Sequence, residues 1–350
     1  MKRKLIYFLL LLALIQACKK DKEINELYDP TPYDFVKVYR FPNIEVPTDN
    51  ALTIAKVQLG RSLFYDASLS LSGNTSCATC HNQDFGFTDH ELDLSTNDLG
   101  NFTSRNASSL FNLVWTDKGF FWDGRASSLE LAVEDAINNE QHPEWDVTLA
   151  NIQADPSYKT SFETAFEYGE VSRDNINKAL ASFIRTIVSQ NAKFDLVTRA
   201  QATLTPLEQY GFDSIFVTEK GDCFHCHGVY PFMTDNDFHD NGLQGNGYAD
   251  LGLGGFNGNA FDQGKMKTPP LRNLSYTAPY MHDGRFASLD EVIDFYSEGV
   301  NLTPNIDPLM KKAHQGGLQL SAYEKEALKA FLLTLDDPVF RSNVDYSSPF

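Results

Sequence analysis

Cys77-Ala78-Thr79-Cys80-His81 and Cys223-Phe224-His225-Cys226-His227 are the two stretches that decide what this chain becomes. Both read Cys-x-x-Cys-His. That spacing lets two thiols on one turn add to the vinyl groups of a haem, while the adjacent imidazole swings beneath the iron as its proximal ligand. The chain has five cysteines, and the two motifs consume four of them. A zinc site, a pair of redox dithiols or structural disulfides would draw on the same thiols. A zinc ribbon has no need of a histidine after each second cysteine, and thioredoxin-type motifs come singly in a βαβ context. The reading is two covalent c-type haems, one per motif.

Around these motifs the chain reads as helices joined by long loops. Ala51 to Phe64 has helical apolar spacing, and Ser127 to Asn138 gathers Leu129, Ala132, Val133 and Ala136 on one face. The clearest pattern runs from Arg173 to Arg199, with Ile176, Ala179, Leu180, Phe183, Ile184, Ile187 and Val188 recurring at three and four residues. Thr205-Pro206-Leu207-Glu208 and Ser321-Ala322-Tyr323-Glu324 are capping boxes that open helices continuing through Phe216 and Leu335. Asn241 to Gly264 holds eight glycines and reads as a loop. Long loops are expected where a haem fills space that secondary structure would otherwise occupy. The fold class is therefore all-α: two cytochrome c-like haem domains with long loops, meeting near residues 190 to 205.

The amino terminus has a different character. Lys2, Arg3 and Lys4 precede an apolar run from Leu5 to Ile15, too short to span a bilayer as a mature helix, which reads as an export signal. It ends at Ile15-Gln16-Ala17-Cys18, similar to a lipobox with an unusual Gln16, so Cys18 is expected to carry a lipid. A plain signal cleaved near Ala17 is the alternative. The expected organisation is a lipoprotein signal over 1–18, a polar tether over 19–45, an N-terminal haem domain over 46–195 and a C-terminal haem domain over 196–350. The formal charge of −18 over 350 residues disfavours nucleic acid and suits a basic protein partner or a small neutral substrate.

Further words surround the two motifs. Arg105-Asn106 precedes an apolar run, followed by Phe121-Trp122-Asp123-Gly124-Arg125 and Ser128-Leu129-Glu130. The second half holds Thr268-Pro269-Pro270-Leu271-Arg272-Asn273, Thr277-Ala278-Pro279-Tyr280-Met281-His282-Asp283-Gly284 and Leu289-Asp290-Glu291-Val292. In this order the chain resembles the bacterial dihaem cytochrome c peroxidase family, including its MauG-type branch, over nearly everything after residue 45. The resemblance implies that the haem on His81 meets hydrogen peroxide through an open sixth position and that the haem on His227 relays electrons.

The resemblance also assigns residues. Trp122 matches the tryptophan between the haems, with an ordinary buried tryptophan as the alternative, while Asp123 and Arg125 hold its loop. The family's distal glutamate, counted twenty residues from that tryptophan, falls on His142, and its halfway glutamine on Ala132. Glu140 and Glu144 flank His142, and Pro143-Glu144 locally resembles the family's ending, so His142 and Glu144 are both carried as the proton-moving group. Fourteen residues after His282, Tyr296 stands where the family often has an axial methionine, as in the MauG-type branch; an aromatic on a packed helix face is the alternative, and Met281 and Met310 are fallback ligands. Asn106, Thr277 and Pro279 match the family's calcium site, and oxygen ligands suit that cation. His225, His239 and His314 read as surface or structural, and His90 as an exposed loop residue with a distal-ligand role as alternative.

The function implied is a peroxidase in the periplasm or cell envelope, reached by the membrane only through the lipid on Cys18. It takes electrons from a small cytochrome c or cupredoxin, holds two c-type haems and one calcium, and a homodimer is allowed. A MauG-like oxidase that modifies a protein, and a non-catalytic dihaem carrier, are the alternatives.

Overall fold

The computed structural model describes residues 24–35, 39–89, 92–228, 230–245 and 247–350. The leader with Cys18, the first residues of the expected tether and His90 lie outside the described residues. Helix takes 42% and strand 4%, so the mainly α class holds. The helices that frame the interior are α1 (Ile54–Tyr65), α2 (Leu129–Ala136), α3 (Arg173–Thr186), α4 (Pro206–Tyr210), α5 (Leu289–Asp294) and α6 (Ala322–Leu333). A two-residue antiparallel ribbon, β1 (Phe238–His239) with β2 (Met266–Lys267), pairs Phe238 with Lys267. The capping boxes at Thr205 and Ser321 form, and Ser288 with Glu291 makes another.

The two halves repeat one set of local solutions. Gly60 of α1 lies so close to α3 that a Cβ would stand 1.9 Å from the Ala179 carbonyl oxygen, and at Gly211, just after α4, a Cβ would stand 2.0 Å from that of Ala327 in α6. Phe183 and Phe331 flank these contacts equally, 3.0 Å from the added atom. Asn112 and Asn273 each adopt a left-handed backbone (φ 59° and 62°) before a one-turn 3₁₀ helix. Phe120 bonds Ala126 as Tyr280 bonds Phe286, each N–H to carbonyl at 2.8 Å. After α2, α4 and α5 the coil widens into a π turn, over Ile137–Gln141, Gly211–Phe216 and Phe295–Gly299.

One expected helix is shorter than its pattern. The apolar periodicity of 173–199 continues to Val188, yet α3 stops at Thr186 and a separate helix resumes over Lys193–Thr198. No Gly or Pro breaks it; tertiary partners take its backbone groups instead. Ile187 accepts from the Asn112 N–H, Ser189 donates to Asn112 Oδ1, and Gln190 and Asn191 both donate to Asp337 Oδ2 at 2.7 and 2.8 Å. The stretch expected to be a tether is bonded to the first half from Asn25 onward: Asn25 donates to the Glu167 carbonyl, Asp29 to Thr164 and Tyr33 to Leu52. Phe41 is buried against Trp115 and Phe232.

One apolar cluster draws on residues 52 to 187 but also takes Phe340 and Tyr346 from the chain's end, while another spans Phe194 to Leu335. At their junction Arg272 and Asp195, both without side-chain exposure, pair at 2.5 Å. Breaking one partner of such a pair strands the other charge in a dry site. Arg272→Leu is therefore expected to cost about 3–5 kcal/mol of stability, read as a lowered midpoint of denaturant unfolding of the holoprotein. An unchanged midpoint would show that the junction does not depend on this pair.

Candidate haem centre

Each motif sits on a single helical turn, Cys77–Cys80 and Phe224–His227. The ring nitrogen Nδ1 of His81 lies 2.9 Å from the Phe87 carbonyl oxygen, and that of His227 lies 3.2 Å from the Met233 carbonyl. A carbonyl only accepts, so Nδ1 carries the proton in both rings and Nε2 is left with its lone pair. Burial holds both imidazoles neutral, lowering His81 and taking His227 down to about 4. The same burial pushes the Cys77 and Cys223 thiols up to about 12 and Cys80 to about 11.

A continuous cavity of about 510 Å³ runs past both motifs. Leu129, Val133, Leu180 and Ile184 line it in the first half, and Leu289, Ile293, Leu328 and Leu332 in the second. Apolar walls, paired thiols at the edge and a free imidazole nitrogen suit a flat apolar macrocycle. The residues present fit two c-type haems.

Trp122 lies in the wall between the halves. Its Nε1 donates to the Asn106 carbonyl at 2.9 Å, and its ring meets that of His282 edge-on, 6.4 Å between centroids. His282 occupies the second half's copy of the Trp-Asp-Gly-Arg word, so equivalent positions of the two repeats pack on each other. The backbone N–H of Asn106 donates to the His282 carbonyl at 2.8 Å and closes the seam. Asp123 and Arg125 do hold their loop, in an ion-pair chain that runs Asp250, Arg105, Asp123, Arg125, Asp135.

The distal candidates separate. His142 ends the π turn in a left-handed conformation (φ 51°), with its Nε2 accepting from Asn97 Nδ2 at 3.2 Å, and Glu144 is exposed beside the helix starting at Trp145. Neither lines the cavity; Glu140 and Gln141 do. Glu140 Oε2, Gln141 Oε1 and Ser95 Oγ are all buried there without a hydrogen-bond partner. Burial raises Glu140 above the ordinary carboxylate range. The family offset of twenty residues from Trp122 falls on His142, just past the π turn, whereas the π turn itself carries Glu140 and Gln141 to the cavity wall.

Tyr296, on the equivalent π turn, lines the cavity near Met281 and Met310. Its hydroxyl oxygen accepts from Asn241 Nδ2 at 3.0 Å, and Asn241 is oriented by the Leu243 N–H donating to its Oδ1. Burial pushes the phenol up to about 12. Asn106, Thr277 and Pro279 also share the cavity wall. Asn106 Nδ2 donates to the Leu92 and Asp93 carbonyls, both at 3.1 Å, which turns Oδ1 the other way.

His239 differs from its surface reading. It stands on β1 with Nε2 2.9 Å from Asp235 and Nδ1 2.6 Å from Asp307. Although burial opposes its charge, these two carboxylates hold it up to about 12. His225 faces Asp222 at 2.7 Å, and exposed His314 donates to the Lys311 carbonyl.

A family profile described as di-haem cytochrome c peroxidase matches residues 54–203. The methylamine utilization protein MauG of Methylorubrum extorquens is 36% identical over 83% of this chain and 80% of its own length. The cytochrome c peroxidase Ccp of Escherichia coli is 31% identical over 71% of this chain and 53% of its own. A crystal structure of a MauG-like protein associated with microbial copper homeostasis superposes with a TM-score of 0.82 at 31% identity, covering 91% of this chain and 99% of that one. With the paired motifs and the cavity between them, these likenesses place the chain in the di-haem cytochrome c peroxidase family, as an oxidoreductase with two c-type haems.

Proposed function

We propose that the chain reduces hydrogen peroxide at a haem held by Cys77, Cys80 and His81, drawing electrons through a second haem on Cys223, Cys226 and His227. A small cytochrome c or cupredoxin supplies them, a basic one by the protein's charge of −18. The proposed site of action is the cell envelope, with Cys18 as lipid anchor; among the described residues no helix is long and apolar enough to cross a membrane. The two haem domains divide near residue 195, with the chain's last residues returning to the first.

The observation that carries this reading is the Glu140 carboxylate on the cavity wall, whose Oε2 is buried without a hydrogen-bond partner. Converting peroxide to two waters takes two electrons and two protons. When bound, the haems supply the reacting iron and the electron store. Glu140 takes the proton from one peroxide oxygen and returns it to the other, a general acid–base role within hydrogen-bond reach. Ser95 and Gln141 supply polar atoms that orient the small substrate, and the apolar wall excludes bulk water. Trp122 bridges the halves for the electron, and Asn106 with the Thr277 and Pro279 carbonyls holds a calcium that stiffens the seam.

A second reading has one observation in its favour. Tyr296 would offer a haem held by His227 a hard oxygen donor, which would favour higher oxidation states of the iron and a MauG-like protein-modifying oxidase. Asn241 presents an N–H to that oxygen and keeps its lone pair directed.

Three measurements test these roles. In a steady-state assay of peroxide with a reduced cytochrome donor, Glu140→Gln is expected to lower kcat by about 10²–10⁴-fold, with haem spectra intact. His142→Gln should stay near wild type, and the reverse pattern would move the role to His142. Because burial raises Glu140, wild-type kcat should fall as pH drops through a value above the ordinary carboxylate range.

Replacing Trp122 with phenylalanine should leave both haem spectra nearly unchanged and slow electron delivery between them in stopped-flow traces. Unaltered turnover with donor would remove the bridge. For Tyr296, redox titration with electron paramagnetic resonance is direct: Met should raise the potential of the second haem, and Phe should produce a second high-spin signal. Unchanged potentials and spin states would return Tyr296 to the core.

A further inference from the structure

The cations that line the cavity are almost all matched by acids. Arg105 pairs with Asp123 and Asp250, Arg125 with Asp123 and Asp135, Arg272 with Asp195, and Lys311 with Glu219. Lys312, at the outer edge, is bonded by the Glu219 and Lys220 carbonyls. Lys267 is different. It lines the same cavity from β2, its Nζ donates to the Gly119 carbonyl and lies 5.6 Å from the centre of the Phe120 ring, and among the described residues no carboxylate stands within ion-pair distance of it. A backbone carbonyl and a ring face leave an ammonium with much of its hydration unreplaced, and a charge withdrawn from water calls for a counter-charge.

We propose that Lys267 is the counter-ion for a propionate carboxylate of one of the haems. Each haem brings carboxylates into the cavity, and Lys267 is a half-buried cation there that no carboxylate among the described residues holds at ion-pair distance, Asp117 acting on it only from farther away. The strand carrying it is tied to the bridge residue, because the Lys267 N–H donates to the Trp122 carbonyl at 2.8 Å. The propionate contact thus sets the place of the cofactor's edge relative to Trp122. Burial takes the Lys267 ammonium down to about 8, which shows how weakly its own surroundings support the charge. This inference rests on the haem reading. A pyridine haemochrome assay returning no haem would sink that reading first, independently of Lys267.

The test compares wild-type holoprotein with Lys267→Met, Lys267→Gln and Lys267→Arg. Redox titration reads the midpoint potentials of both haems, and resonance Raman spectroscopy reads the propionate bending bands. Removing a nearby cation favours ferric iron, so Met and Gln should lower the potential of one haem and shift its propionate band, while Arg retains both near wild type. Gln keeps a donor for the Gly119 carbonyl and removes only the charge, so it answers the question if the Met variant takes up haem poorly. Potentials and bands unchanged in Met or Gln would overturn the proposal. So would shifts that Arg reproduces in full, which would mark a packing role.

Discussion

The Arg272–Asp195 pair is the constraint on which the two halves depend. Asp195 accepts from both guanidinium NH groups, from the Ala192 N–H and from the Tyr230 hydroxyl, and Arg272 also donates to the Pro231 carbonyl and Ser189 Oγ. Asp337 and Asn112 hold the backbone of the same crossing from the other side. A dry charge pair calls for every donor and acceptor to be answered, and here the answers come from residues 189–192 and 230–231. These bonds tie the crossing of the two halves, and Trp122 meets His282 on the cavity wall that the halves share.

The repeated halves explain why the site lies where it does. Glycine at 60 and at 211 lets each helix pair approach until backbone meets backbone. The π turns that end α2 and α5 then bring Glu140 and Tyr296 to the cavity from equivalent helices. The repeats differ in what they place there: an acid facing the first motif, a phenol facing the second. Two like sites with unlike polar groups suit a division between a haem that reacts and one that relays. Charge follows the same economy, since the wall's arginines are spent on holding loops and a lysine is left for the ligand.

Both Cys-x-x-Cys-His words were legible because each lies on a single helical turn, and both capping boxes were legible because a cap needs only its own turn. A count of fourteen from His282 lands on Tyr296, on the π turn after α5, which lines the cavity. The same kind of count from Trp122 reached His142, which faces Asn97 instead. No residue type in Ile137–Gln141 announces the π turn that puts Glu140 and Gln141 on the cavity wall. His239 looked like a loop histidine because one of its two carboxylate partners, Asp307, is 68 positions away.

By itself the sequence determined the chemistry this chain can hold and the helices that hold it: paired thiols, proximal imidazoles, apolar stripes and their caps are all properties of neighbours along the chain. Tertiary structure alone decided where α3 ends, which carboxylate turns inward, which cation is left without an acid, and that the supposed tether from Asn25 lies along the first half. Those outcomes depend on partners far apart in sequence, whose competition for hydrogen bonds and for exclusion from water is settled only when the halves close on each other.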